Sequence, residues 1–144
     1  MICTFFGHHD CPPAVIPKLK AVLEDLIIHY SVEQFYVGNH GYFDFYVQSI
    51  LKDLSSQYPQ IHYFIVLAYV PNENVQFSET DFSHMIFPIT ICNAPPKFAI
   101  LYRNKWMVEQ SDLVVTYITR SSGGAVKFAR LAQEKKKICI NLAI

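Results

Sequence analysis

In YRNKWMVEQSDLVVTYITRSSGG, residues 102–124, three kinds of backbone follow one another. A polar-faced helix ends at Ser111, an apolar strand covers residues 113–118, and the strand passes into a small loop closed by Gly123 and Gly124. That loop should open a further helix over residues 125–133. A strand, a glycine turn and a helix in succession can present unpaired backbone N–H groups and the positive end of a helix dipole to an anion such as phosphate. The stretch therefore reads as the floor of a ligand site.

Working outward, the same alternation recurs. Residues 2–6 form a short apolar run closed by Gly7, residues 34–37 another closed by Gly38, and residues 61–70 the longest, IHYFIVLAYV. Residues 138–142 complete the set. Runs this short fit buried strands better than helices. Between them, Leu19, Val22, Leu23, Leu26, Ile27 and Tyr30 recur at helical spacing, with Pro17 tolerable only in the first turn. Val47, Ile50, Leu51, Leu54 and Tyr58 give a second stripe, and Pro95 and Pro96 suit the start of the helix that ends at Ser111. Residues 71–95 show no period and suit a binding loop or lid, with Phe77, Phe82 or Phe87 available to stack on a ligand. The expected fold is α/β: a Rossmann-like open parallel sheet of about five strands with helices on both faces, in one domain spanning residues 1–144.

Composition narrows the class. The chain has 144 residues, 51% hydrophobic, which is too apolar for disorder, yet no run reaches the ~20 apolar residues of a membrane span. No membrane partner is expected. The start, MICTFFGHHD, lacks a basic segment followed by a long apolar one, so a cytoplasmic location is expected. Formal net charge is zero, and extended nucleic-acid binding would require a basic excess. Lys135, Lys136 and Lys137 sit where a helix should end and complement its dipole. Cys3, Cys11, Cys92 and Cys139 form no CxxC pair and read as reduced thiols.

In open α/β sheets ligands sit beyond the carboxyl ends of the strands, so the loops after strands matter most. Here they are Gly7-His8-His9-Asp10, Gly38-Asn39-His40-Gly41, and residues 119–124. Gly123 and Gly124, with Ser122 before them, form either a phosphate cradle or a plain tight turn. Asp44 either favours the dipole of its helix or bonds a ligand hydroxyl. His8 or His9 could touch a ligand, but four consecutive residues from His8 to Cys11 cannot all point at one ion, and no HxxxH or CxxC spacing is present, so no metal is expected. Arg103 and Asn104 fall on the same helix side as Ile100 and Met107. A buried arginine needs a partner, which could be a bound phosphate or carboxylate, or a salt bridge to Asp44 or Asp112. There is no GxGxxG, GxxxxGK[ST] or GxSxG pattern, so dinucleotide, P-loop and serine-hydrolase readings have no support, and no cofactor is expected.

RNKWM, then SD, then an apolar strand and a GG turn together resemble the SLOG superfamily, the Rossmann-like group that includes the LOG nucleotide hydrolases and the DprA/Smf proteins. TFFGHHD and FYVGNHGYFD resemble the first two strands and loops of small SLOG proteins of bacteria and their phages. The resemblance implies a nucleotide-type ligand at the strand ends and a homo-oligomer. LOG enzymes cleave the N-glycosidic bond of nucleoside monophosphates and carry R-K-x-x-M followed by P-G-G-x-G-T-x-x-E. Arg103, Met107, Gly123 and Gly124 match. Ser122 replaces the proline, Val126 the later glycine, Lys127 the threonine and Arg130 the catalytic glutamate. Losing that carboxylate removes a charge that would stabilise a cationic transition state. The expectation is a non-catalytic protein that senses or sequesters a nucleotide or nucleotide-derived signal. In it Gly123, Gly124 and Arg103 hold phosphate, while Gly7, His8, Gly38, Asn39 and Asp44 define the sugar or base end. A nucleoside 5′-monophosphate hydrolase using Asp44 is the alternative, and single-stranded DNA binding as in the DprA group is a third.

Overall fold

The computed structural model describes residues 1–69, 84–88, 91 and 94–144. Strands and helices alternate in the order β1 (Ile2–Gly7), α1 (Ile16–His29), β2 (Gln34–Val37), α2 (Tyr42–Gln57), β3 (His62–Val66), β4 (Met85–Ile86), α3 (Ala99–Gln110), β5 (Leu113–Tyr117), α4 (Gly124–Glu134) and β6 (Ile138–Asn141). Short 3-10 segments, Pro13–Val15 and Pro96–Phe98, lead into α1 and α3. Proline suits the start of each helix, because the first amides of a helix have no partner within it.

All neighbouring strands run parallel, in the order β4-β3-β2-β1-β5-β6. This is the expected Rossmann-like open sheet, with six strands rather than five. The added strand, β4, pairs Met85 and Ile86 with Ile65 and Val66. Two residues are too few to show a period, so the sequence pattern passes over it. The third strand also ends earlier than its apolar run: pairing stops at Val66, although Leu67 and Ala68 stay buried. The expected loop over residues 71–95 falls mostly outside the described residues, as do Phe77, Phe82 and Cys92. Phe87 follows β4 at the far edge of the sheet.

The pleat of β1 divides the core. Cys3 and Phe5 point to one face with Leu19, Leu23 and Leu26 of α1 and Val47, Leu51 and Leu54 of α2. Phe6 points to the other face, against Met107 and Val108 of α3 and Phe128 and Ala132 of α4. Helices thus cover both faces, as parallel strands buried on both sides require. Strand order proceeds outward from β1 to β4, then resumes on the opposite side of β1 with β5 and β6. The topological switch point lies between β1 and β5, where the loops after the two strands diverge and leave a crevice.

Candidate ligand-binding site

A cavity of about 410 Å³ opens at this crevice. It falls within the roughly 300–1,000 Å³ typical of small-molecule sites. Its walls include Gly7, His8 and His9 from the loop after β1, Asp44 from α2, Arg103 and Asn104 from α3, and Ser122, Gly123 and Gly124 from the loop opening α4. Nine of the residues singled out from sequence therefore meet on one surface. Gly38, Asn39 and Gly41 stand behind that surface. A Cβ at Gly38 would lie 2.8 Å from Asp44 Oδ2 and 3.3 Å from the Arg103 guanidinium carbon, so this glycine lets both side chains pack over the backbone.

Arg103 is the base of the site. Ala99, Arg103 and Met107 recur every four residues along the buried stripe of α3, so the helix period itself turns the guanidinium toward the sheet. Only 3% of Arg103 is exposed. Its Nε donates to Asn104 Oδ1 at 3.0 Å and its Nη1 to Asn39 Oδ1 at 2.8 Å. Neither expected salt bridge forms. Asp112 instead accepts the Ile2 N–H at 2.9 Å, and Asp44 influences Arg103 only through its field. Two neutral amides thus hold a buried cation, and its Nη2 has no hydrogen-bond partner among the described residues.

Asp44 sits in the first turn of α2, 9% exposed, where its Oδ2 accepts the His40 N–H at 3.0 Å. It therefore braces the Gly38–Gly41 turn as well as facing the cavity. Burial pushes its carboxyl up to about 6, with the His40 N–H and the nearby Arg103 charge acting in the opposite direction. A carboxyl in this state exchanges its proton close to neutral pH.

His8, 7% exposed, ties two loops together: its Nε2 accepts the Thr119 N–H at 3.0 Å, and its own N–H donates to Tyr117 O at 3.3 Å. An Nε2 that accepts carries no proton. Burial, then the Arg120 charge, lowers the pKa of His8 and favours that neutral form. Alongside, Arg120 pairs with Asp10 across the same two loops. His9 O accepts the Tyr42 N–H at 2.8 Å, which fastens the loop after β1 to the start of α2.

The opposite wall is the N-terminus of α4. Gly41 and Gly123 occupy the equivalent N-cap positions of α2 and α4 with φ of 95° and 118°, values that favour glycine. At Gly41 a Cβ would also strike the His9 backbone at 2.5 Å, whereas nothing stands within 4 Å of a Cβ at Gly123 or Gly124. The first intrahelical bond of α4 is Lys127 N–H to Gly123 O, no side chain caps the end, and no acidic residue lies in its first turn. Gly124 and Ala125, whose amides precede that bond, line the cavity.

His40, Arg120, Ile100, Phe5, Phe6 and Met107 also line the site but were not singled out as ligand-contacting. Arg120 and His40 could have been found from their place in the loops after β5 and β2; the apolar residues look like ordinary core. Among the described residues no cluster of three or more His, Cys, Asp or Glu could hold a metal ion. Cys3, Cys11 and Cys139 are free thiols, the first two buried and Cys139 half-buried. No described helix is long and apolar enough to cross a membrane. Comparison with protein-family models and with curated proteins finds no match. The SLOG resemblance therefore rests on the residues quoted for it.

Proposed function

We propose that this chain binds a nucleotide or nucleotide-derived signalling ligand at the carboxyl edge of the sheet and does not turn it over. The observation that carries the reading is Arg103, a buried cation held by two neutral amides at the base of a cavity whose opposite wall is an uncapped helix N-terminus. A phosphate there would gain charge-assisted bonds from the guanidinium and backbone amides together. The apolar wall of Ile100, Phe6 and Met107 offers a surface to a sugar or base. Arg130 stands where the resembled hydrolases carry glutamate, and its Nη2 donates to Ser121 O at 3.4 Å. A cation at that place opposes an oxocarbenium-like transition state.

A thermal-shift panel of nucleotides, with native mass spectrometry of freshly purified protein, tests the reading. A nucleotide should raise the melting temperature of the parent and leave Arg103→Ala unmoved. Equal affinity in parent and Arg103→Ala would overturn the assignment.

Asp44 favours a second reading, cleavage of a nucleoside monophosphate. A cavity-facing carboxyl raised to about 6 keeps a protonated fraction just below neutral pH, and that fraction could deliver its proton to a departing base. Steady release of free base, abolished in Asp44→Asn, would establish that activity in place of simple binding.

A further inference from the structure

A second cavity, about 470 Å³, lies on the other side of the loop that opens α4. The two cavities share Ser122 and Gly123. The sill between them is Ser122 and Gly123, of which Ser122 is exposed and Gly123 carries no side chain. The bare backbone of Gly123 thus borders both cavities.

Charge along this part of α4 runs against the helix. Lys127 and Arg130 are one turn apart, both exposed and both on the wall of the second cavity. Lys127, near the N-terminus of α4, opposes the helix dipole, and the like charges of Lys127 and Arg130 at i and i+3 repel. Neither forms an ion pair with a carboxylate among the described residues, whose two ion pairs are His29–Asp25 and Arg120–Asp10. Lys127 Nζ lies 5.9 Å from the Phe128 ring centroid, and among the described residues Arg130 bonds the Ser121 carbonyl alone. Glu134, the acidic residue of that wall, stands at the last position of the helix. An anion over the Ser122–Gly123 sill would relieve the repulsion and the dipole mismatch at once.

From this arrangement we infer that Lys127 and Arg130 form a subsite for a second phosphoryl group of the same ligand. The protein therefore prefers a nucleotide with two or more phosphoryl groups over a nucleoside monophosphate. The inference rests on the nucleotide reading of the first cavity and names the ligand class that reading leaves open.

Isothermal titration of the full chain with nucleoside 5′-monophosphates, the matching 5′-diphosphates, and monophosphate plus free orthophosphate tests it. The diphosphate should bind roughly ten-fold or more tightly than the monophosphate, the scale of one or two added charge-assisted bonds. Added orthophosphate should not reproduce the gain if the second group must be attached. In Lys127→Gln/Arg130→Gln the ratio of the two affinities should fall toward one. These side chains are exposed and repel each other, so an unchanged or higher melting temperature without ligand would confirm folding. A diphosphate no tighter than the monophosphate, or a ratio unaltered in the double variant, overturns the subsite while leaving the first cavity standing. Binding of neither nucleotide overturns both.

Discussion

Arg103 Nη1 donates to Asn39 Oδ1 at 2.8 Å, a bond between positions 64 residues apart that ties the loop after β2 to the helix before β5. Arg103 lines the cavity, so the base of the site depends on two segments that share no local sequence relationship. Replacing Arg103 with Met should remove ligand binding and leave the Asn39 and Asn104 oxygens without their donor. The expected loss of stability is about 1–3 kcal/mol, measurable by urea denaturation. The same change removes a charge that holds the Asp44 pKa down, so Asp44 should titrate above its parent value of about 6 by carboxyl NMR.

Asp44 also gives stability a pH dependence of known sign. Its pKa rises from the ordinary 3.8 to about 6 on folding, so the native chain binds this proton more tightly than the unfolded chain. The contribution is complete below pH 3.8 and is lost as pH rises through about 6, a change of order 3 kcal/mol. His8, with its pKa lowered below 6.5, acts in the opposite sense and loses its contribution as pH falls. The difference between parent and Asp44→Asn isolates the Asp44 part. Denaturation curves at pH 4, 5, 6 and 7 should show the variant gaining on the parent across that range; a constant gap would rule out the raised carboxyl.

Two glycines of the site should respond oppositely to alanine. At Gly7 a Cβ would lie 2.4 Å from two ring atoms of Phe43, a buried core residue, and overpacking of this kind costs about 1–3 kcal/mol. Gly124 begins α4 with open space around it, so Gly124→Ala should be neutral or stabilising by about 0.4–1 kcal/mol. Its new methyl would nevertheless stand beside the uncapped amides. Calorimetry should therefore find lower melting for Gly7→Ala, and titration weaker nucleotide binding for Gly124→Ala at unchanged or higher melting temperature.

Asn141 extends the sheet by side chain. Its Oδ1 accepts the Ile118 N–H and its Nδ2 donates to Ile118 O, both at 3.1 Å, continuing the β5–β6 pairing just before the loop that carries Arg120. Asn141→Leu should cost about 1–3 kcal/mol and speed hydrogen exchange at Ile118 and Thr119. Asn141→Asp keeps the acceptor and loses the donor, so its exchange rates should fall between those of parent and Asn141→Leu.

Much of this architecture is legible in the chain because its signals are local. Short apolar runs ending in Gly7 and Gly38, helical stripes such as Leu19, Leu23 and Leu26, and the glycine pair before α4 each mark an element without reference to distant residues. Alternation of such elements implies a parallel sheet, since parallel neighbours need a crossover. The strand ends in turn point to Gly7, His8 and Gly124 as one site, and the helical stripe before β5 adds Arg103. By contrast β4 is too short for a period, and Arg120 was not singled out, since only its pairing with Asp10 across two loops and its place in the cavity lining mark it.

The sequence by itself determined the order of elements, the faces they bury and the edge at which polar loops gather, because helix and strand periods are properties of neighbouring residues. Tertiary structure alone decided partners. Sequence reading offered Arg103 a carboxylate, yet Asn39 and Asn104 hold it, while Asp44 takes the His40 amide and Asp112 the Ile2 amide. Which acceptor meets a buried donor depends on where chain segments many residues apart come to rest. That position is set by the packing of α2 and α3 on opposite faces of one sheet, and no spacing within either helix encodes it.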